Sequence, residues 1–477
     1  MRRGIWYGML VGALAAALVG FAQGARAGAG ADPMPLTEPP IRWVPPATFD
    51  VNLPGRGFPQ APGCENTIIY DPAPCRGNVD EGGNGKYEDV LHGTFNHHPG
   101  WYFLGDYVIT QWTNHSRDEN GPGQRELCRV GKWVGDKNSP DAEIDWGDPA
   151  VTTVEVAPPP ILIRRRTWSV SPDTIYPYIT GGLTLRGDTL YLVAYLDCIG
   201  GYTTSEANRN PMGPLPAAEY SDSLNRAAGF RYDMWFNLGM QFVQRWRLQD
   251  DRLVPDSPLY QITPQVKRVE VTPGRSKVVA PLVPPYTNMI PIAQAPADIR
   301  RAFTPRPAPP QSTAQAEHPQ FKDGAYWLAA DGKDGLAHFT EYRRPDGKYV
   351  SIRDNLLNAG HYYASIREPN GYYPPAMETN LYGGASPSAG TLPDGRIYLL
   401  CNSQRRLDMF MMLSRDGIVF DRTWLLVHSD REFDGGIYKG GGPQYYHANI
   451  IGPNMWIFYS IGKVQMGVTK VLLATLE

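Results

Sequence analysis

Trp101-Tyr102-Phe103-Leu104, Gly105-Asp106 and Tyr107-Val108-Ile109-Thr110-Gln111-Trp112 read as a strand, a tight turn and a second strand in consecutive residues. Aromatic and β-branched side chains flank a Gly-Asp pair, so the stretch predicts a β-hairpin. The unit returns at Leu183-Thr184-Leu185, Arg186-Gly187-Asp188 and Thr189 to Tyr195. It returns again from Gly390 to Cys401 through Pro393-Asp394-Gly395, and from Ala448 to Tyr459 through Gly452-Pro453-Asn454. A fainter copy runs from Phe321 through Asp323-Gly324 to Leu328. Few windows hold a 3.6-residue apolar period, and Gly 50 with Pro 45 suits short strands cut by turns. A hairpin repeated every ~50–60 residues predicts an all-β chain forming a single β-propeller. Seven blades fit the length best, with six as the alternative. A β-sandwich would explain each hairpin but not its return along the chain.

The ends of the chain differ from this pattern. Arg2 and Arg3, the apolar run Ile5 to Phe21 and Ala25-Arg26-Ala27 read as a signal peptide over 1–27. A membrane span over Ile5 to Ala22 is the alternative, its length being marginal. The mature protein is expected to be secreted or periplasmic, off the membrane after cleavage, and a monomer. Residues 28–85, rich in Pro and Gly, read as an irregular N-terminal extension on a propeller domain of residues 86–477. A net charge of -3 with interspersed signs gives no reason to expect a nucleic-acid partner. Of 5 cysteines, Cys64 and Cys75 are spaced for a disulfide in an oxidising compartment, while Cys128, Cys198 and Cys401 lie in apolar strand patterns. No C-x-x-C pair exists, so no structural zinc site is expected.

Titratable groups concentrate beside the first hairpin. His92, His97, His98 and His115 are four of the 9 histidines, and Asp118, Glu119, Gln124 and Arg125 follow. Such a cluster suits proton transfer. Strand alternation predicts that only one of His97 and His98 faces a pocket. Further polar clusters near strand ends are His361-Tyr362-Tyr363, Gln404-Arg405 and Tyr438 to His447.

The run Asn96 to Arg125, with His-His-Pro, its hairpin and Asp-Glu-x-x-Pro-Gly-Gln-Arg, resembles the first blade of the sialidase-like propellers that include ulvan lyases and rhamnose-glucuronate lyases. Leu392-Pro393-Asp394-Gly395-Arg396, Gly441-Gly442-x-Gln444-Tyr445-x-His447-Ala448 and Tyr459-Ser460-x-Gly462-Lys463 fit the same group. Ser414-Arg415-Asp416-Gly417-Ile418-Val419-Phe420 resembles a shortened Asp-box, a structural turn of sialidase-type propellers.

This resemblance implies a polysaccharide lyase acting on a uronic-acid polymer or oligosaccharide by β-elimination. His98 or His97 then serves as base or acid, with His115 as the second histidine and Tyr446 as a further catalytic group from the last blade. Arg125 and Gln124 would bind the uronate carboxylate, Tyr445 would stack on a sugar, and His447 would reach the same face; outside the resemblance, the strand-end clusters add Arg405, His361 and Tyr363 as candidate binding residues. No cofactor is required by this chemistry, and a structural calcium or other ion stays open. A hydrolase of the same propeller group, rhamnosidase-type or sialidase-type, is the alternative. The Arg-Ile-Pro motif of sialidases is absent, and Ile163-Arg164-Arg165-Arg166 does not replace it. A non-catalytic carbohydrate-binding propeller is the second alternative.

Overall fold

The computed structural model describes residues 41–72, 95–115, 125–157, 163–164, 174–203, 230–262, 266–272, 275–282, 290–303, 336–355, 360–371, 373–374, 376–404, 406–429 and 441–476. Almost all regular structure there is antiparallel strand. Sheet I is the meander Phe95–Leu104, Tyr107–His115 and Arg125–Val134, with Glu143–Asp145 and Thr153–Ala157 both pairing its third strand. Its first turn is the Gly105-Asp106 pair expected from sequence, with Leu104 opposite Tyr107 and Gly105 at φ 58°. A side chain there would be strained, which is why glycine occupies the position.

Sheet II is built on Thr174–Arg186, Thr189–Thr203 and Phe230–Gln249. Sheet III is Leu336–Arg343, Tyr349–Asn355, Gly360–Arg367 and Met377–Gly383. Sheet IV is Ser388–Thr391, Ile397–Asn402, Asp408–Ser414 and Val419–His428. Sheet V is Pro443–Ile451, Asn454–Ile461 and Gln465–Leu472. A separate hairpin pairs Val266–Thr272 with Arg275–Leu282. Against the seven blades expected and the six held as the alternative, the described residues supply these five sheets and that one hairpin.

The sheets pack face to face in chain order. Tyr342, Ile352 and Tyr362 of sheet III share a core with Leu399, Phe410 and Phe420 of sheet IV. The other face of sheet IV, through Leu400, Met411 and Leu426, packs on Ile457, Tyr459 and Val471 of sheet V. Sheet V then packs through Trp456, Phe458 and Val468 on Val108, Trp112 and Leu127 of sheet I. The last sheet therefore meets the first. Each fully buried Phe, Leu or Ile in these layers contributes about 1.5–3 kcal/mol of transfer free energy.

The last two sheets are completed by chain that was expected to be an irregular extension. Within 28–85, Cys64–Tyr70 runs antiparallel to Gln465–Leu472 and becomes the fourth strand of sheet V. Arg42–Trp43 pairs in parallel with Val419 and Phe420 at the edge of sheet IV. Trp43 and Phe58 join the core between sheets III and IV. The first residues of the propeller thus fasten its last sheets. The Cys64 Sγ lies 3.4 Å from the Leu426 carbonyl, which accepts its hydrogen bond. Burial, then the neighbouring Glu65, pushes that thiol up to about 12. Cys75 and the signal segment 1–27 lie outside the described residues. Cys128 and Cys401 are buried free thiols as expected.

The expected Asp-box turn forms. Asp416 Oδ1 accepts the backbone N–H groups of Ile418 at 2.7 Å and Val419 at 2.8 Å, and Ser414 Oγ accepts Gly417 N–H at 2.9 Å. Gly417 takes φ 70°, and Phe420 is fully buried beneath the turn.

Candidate functional site

Two β-bulges build the site. In the first strand of sheet I the register slips between His97 and Gly100, and His98 adopts φ 50°. Pro99 has no N–H to give to a ladder, so a bulge is the natural place for it. The slip interrupts the alternation of side chains here. Instead of facing opposite ways, the His97 and His98 rings stack with centroids 3.9 Å apart. His97 is buried below and His98 is exposed above.

The second bulge lies in the first strand of sheet V, between Gln444 and His447, where Tyr445 adopts φ 54°. Its ring stands edge-on to His97 at 4.1 Å and lies 6.0 Å from His98. The two tyrosines are therefore placed differently from what was expected. Tyr446 is not at the site: it is buried in the core between sheets IV and V, and its hydroxyl donates to Leu400 O at 3.1 Å. Tyr445, expected only to stack on a sugar, sits against the histidines.

Two cations surround Tyr445. Lys463, in the turn after Asn454–Ile461, places its Nζ 5.9 Å from the Tyr445 ring and 5.9 Å from Phe95. Arg406 brings its guanidinium to 5.9 Å from Tyr445 and donates to Gln444 Oε1 at 2.9 Å. Asn96 fastens sheet I to the Lys463 turn. Its N–H donates to Lys463 O at 2.8 Å and its Nδ2 to Val464 O at 2.7 Å, while its Oδ1 accepts from Trp112 Nε1 and Asn114 Nδ2. The Arg406 turn is held from the other side by fully buried Asp408, which Arg56 Nε reaches at 2.9 Å and His428 Nδ1 at 2.6 Å. Arg56 comes from the N-terminal segment.

Sheet III adds a third histidine. His338 lies in a register slip of its first strand, 6.0 Å from the Tyr445 ring, and its Nδ1 pairs with buried Asp354 Oδ2 at 3.0 Å. The first strands of sheets I, III and V thus converge on one place, joined by turns from sheets IV and V. His98, Arg406, Tyr445 and Lys463 all have positive φ, and the remaining non-glycine cases among the described residues are Arg56, Asp250 and Asp251. Each such residue costs about 1–3 kcal/mol, a strain that concentrates at functional sites.

The electrostatics set His97 apart. Burial, followed by the neighbouring His98, Lys463, Arg406 and His338, holds its pKa well below the ordinary imidazole value. It is a neutral ring at neutral pH, beneath an accessible one. Among the described residues, no group of three His, Cys, Asp or Glu side chains could hold a metal ion.

The remaining expected site residues are placed as follows. His115 ends the second strand of sheet I, opposite Phe95, and Arg125 pairs with Asn114 in the third. Gln124, Arg405, Asp118 and Glu119 lie outside the described residues. His447 is exposed beyond the second bulge. His361 and Tyr363 converge on Glu378 rather than on Tyr445, at 3.4 Å and 3.5 Å. Sequence reasoning missed His338, Asp354, Lys463 and Arg406 as site members. For Lys463 a signal existed, since Gly462-Lys463 closes a quoted motif, but nothing local marks the other three.

No family model and no curated protein matches the chain. Solved structures do. A sialidase matches with a TM-score of 0.52 at 14% identity, covering 91% of this chain and 35% of that one. The fold is that of a sialidase-like β-propeller. Trypanosoma rangeli sialidase matches at TM-score 0.36 and 11% identity, covering 87% of this chain and 60% of its own. Penicillium chrysogenum alpha-L-arabinanase matches at 0.31 and 11%, covering 86% and 99%. The chain spans 35% of the first sialidase's length and 60% of the second's.

Proposed function

We propose that this propeller is a carbohydrate-active enzyme that cleaves a uronic-acid-containing saccharide by β-elimination. The observation that supports this reading best is the stack of exposed His98 on neutral His97, with Tyr445 at its edge and Lys463 and Arg406 around that tyrosine.

Each part has a role in that chemistry. The proton at C5 of a uronate becomes acidic enough to remove when the adjacent carboxylate is neutralised, and Lys463 and Arg406 supply the positive charge. His98 takes the C5 proton. The electron pair forms the C4–C5 double bond as the C4–O bond breaks, and the Tyr445 hydroxyl protonates the leaving oxygen. His97 has the role of a positioning group: a second charge directly beneath His98 would oppose its protonation, and a neutral ring does not. His338, oriented by Asp354, borders the same space. His115, Arg125 and Gln124 remain candidates for binding the rest of the saccharide.

The common hydrolase route uses two carboxyl groups, either ~5–5.5 Å or ~6.5–9.5 Å apart. Among the described contacts of this cluster the carboxylate is Asp354, engaged by His338. Sialidase-type hydrolases use a tyrosine nucleophile instead, so the hydrolase alternative fits the fold as well as elimination does, and the products separate the two. Assay of uronate polymers should give products with an unsaturated, ultraviolet-absorbing end. Saturated products would sink the elimination step and favour the hydrolase, and binding without turnover would favour a lectin.

A further inference from the structure

We infer that Phe339 is the stacking platform of a second saccharide subsite, one sugar unit away from the cleavage position, so that the substrate is an oligosaccharide chain rather than a single sugar on a small aglycone. This rests on the reading of the His98–Tyr445 cluster as a saccharide site.

Phe339 is 63% exposed, the most exposed of the large apolar side chains in the described residues. Single apolar residues on an outer surface need no explanation. Phe339 is placed differently: it is on the first strand of sheet III, immediately after His338, whose ring lies 6.0 Å from Tyr445. His338 meets Asp354 whereas Phe339 meets Arg353, so the two side chains leave the strand on opposite sides, with Cα atoms ~3.8 Å apart. A sugar chain crossing this strand at His338 would meet Phe339 next.

The ring is also supported. Phe339, Arg353, Tyr363 and Glu378 form one cross-strand row over all four strands of sheet III. The Arg353 guanidinium lies 5.0 Å from the Phe339 centroid, and Arg353 is 4% exposed. Burial lowers its pKa to about 10, which leaves it charged at neutral pH. A buried cation beneath one face of the ring fixes its orientation and leaves the exposed ring for an apolar sugar face. Tyr363, expected from sequence to bind substrate, instead serves this row from below: it is 1% exposed and its hydroxyl donates to Glu378.

The test uses the full chain with uronate oligosaccharides of increasing length. Phe339→Ala should raise KM about tenfold for the longer oligosaccharides, with kcat and the KM of the shortest cleaved substrate little changed, and Phe339→Tyr should restore it. An equal KM for wild type and Phe339→Ala at every length would overturn the subsite. A second measurement does not need turnover. In a His98→Gln, Phe339→Trp double variant, oligosaccharide should shift the fluorescence of the new tryptophan relative to His98→Gln alone. No shift at any length overturns the subsite, whereas a shift in a protein whose parent shows no elimination supports the subsite and overturns only the catalytic reading.

Discussion

Sheet IV carries two turns of opposite character at the two ends of one strand, Asp408–Ser414. Ser414 to Phe420 at one end places glycine where φ is positive and satisfies its N–H groups with Asp416 and Ser414. At the other end the turn before Asp408 puts Arg406, not glycine, at φ 56° and aims its guanidinium toward Tyr445. The first turn has the residue its backbone prefers. The second has the residue the site uses, at a conformational cost that Asp408, Arg56 and His428 help to hold. If the proposed site is right, stability and function lie at opposite ends of the same sheet, and substitutions should separate them.

The largest separation is expected at His98. His98→Gln should reduce kcat/KM on a uronate polymer by about 10²–10⁴ while leaving the urea midpoint within error of wild type. A variant that lost both would place His98 among the structural residues. At the opposite end, Asp416→Ala should cost about 1–3 kcal/mol in urea unfolding through the backbone groups it leaves unsatisfied, with unchanged activity per folded molecule. Lost activity in the folded variant would show that the two ends are coupled.

The buried histidine gives the comparison a pH signature. The folded pKa of His97 lies below the ordinary unfolded value of about 6.5, so the unfolded chain binds the proton first as pH falls. Its contribution is present above pH ~6.5 and is lost at up to about 1.4 kcal/mol per pH unit as pH falls toward the folded pKa. Unfolding of wild type and His97→Gln should therefore diverge in pH dependence only on the acid side of that value; parallel curves would mean that His97 is not held neutral. The smallest effect is expected at the strained turn. Arg406→Gly should relieve about 1 kcal/mol of left-handed strain while raising KM for an anionic substrate. A destabilised variant with unchanged KM would reverse the roles assigned to the two turns.

The same contrast governs what could be read from sequence. The hairpin at Gly105-Asp106 and the Asp-box were legible because turn chemistry is local: glycine at positive φ and Asp hydrogen-bonding backbone two and three residues on. His97 and Tyr445 belonged to recognisable motifs, but their directions were not legible. Alternation assigns one of His97 and His98 to each face, and a bulge at Pro99 stacks both rings. The second bulge carries Tyr445 into the site and leaves Tyr446 in the core. Arg56, His338, Asp354 and Arg406 were invisible for another reason. His338 and Asp354 meet across one hairpin of sheet III, Arg406 reaches Tyr445 from sheet IV, and Arg56 reaches Asp408 from the N-terminal segment, contacts made by packing between sheets that no local pattern records.

The most direct test of elimination at the His98–Tyr445 cluster is product analysis of a 4-linked uronate polymer digested in heavy-oxygen water. Elimination predicts new ends with a C4–C5 double bond and no solvent oxygen incorporated during bond cleavage, all abolished by His98→Gln. Saturated ends carrying the heavy oxygen would contradict it.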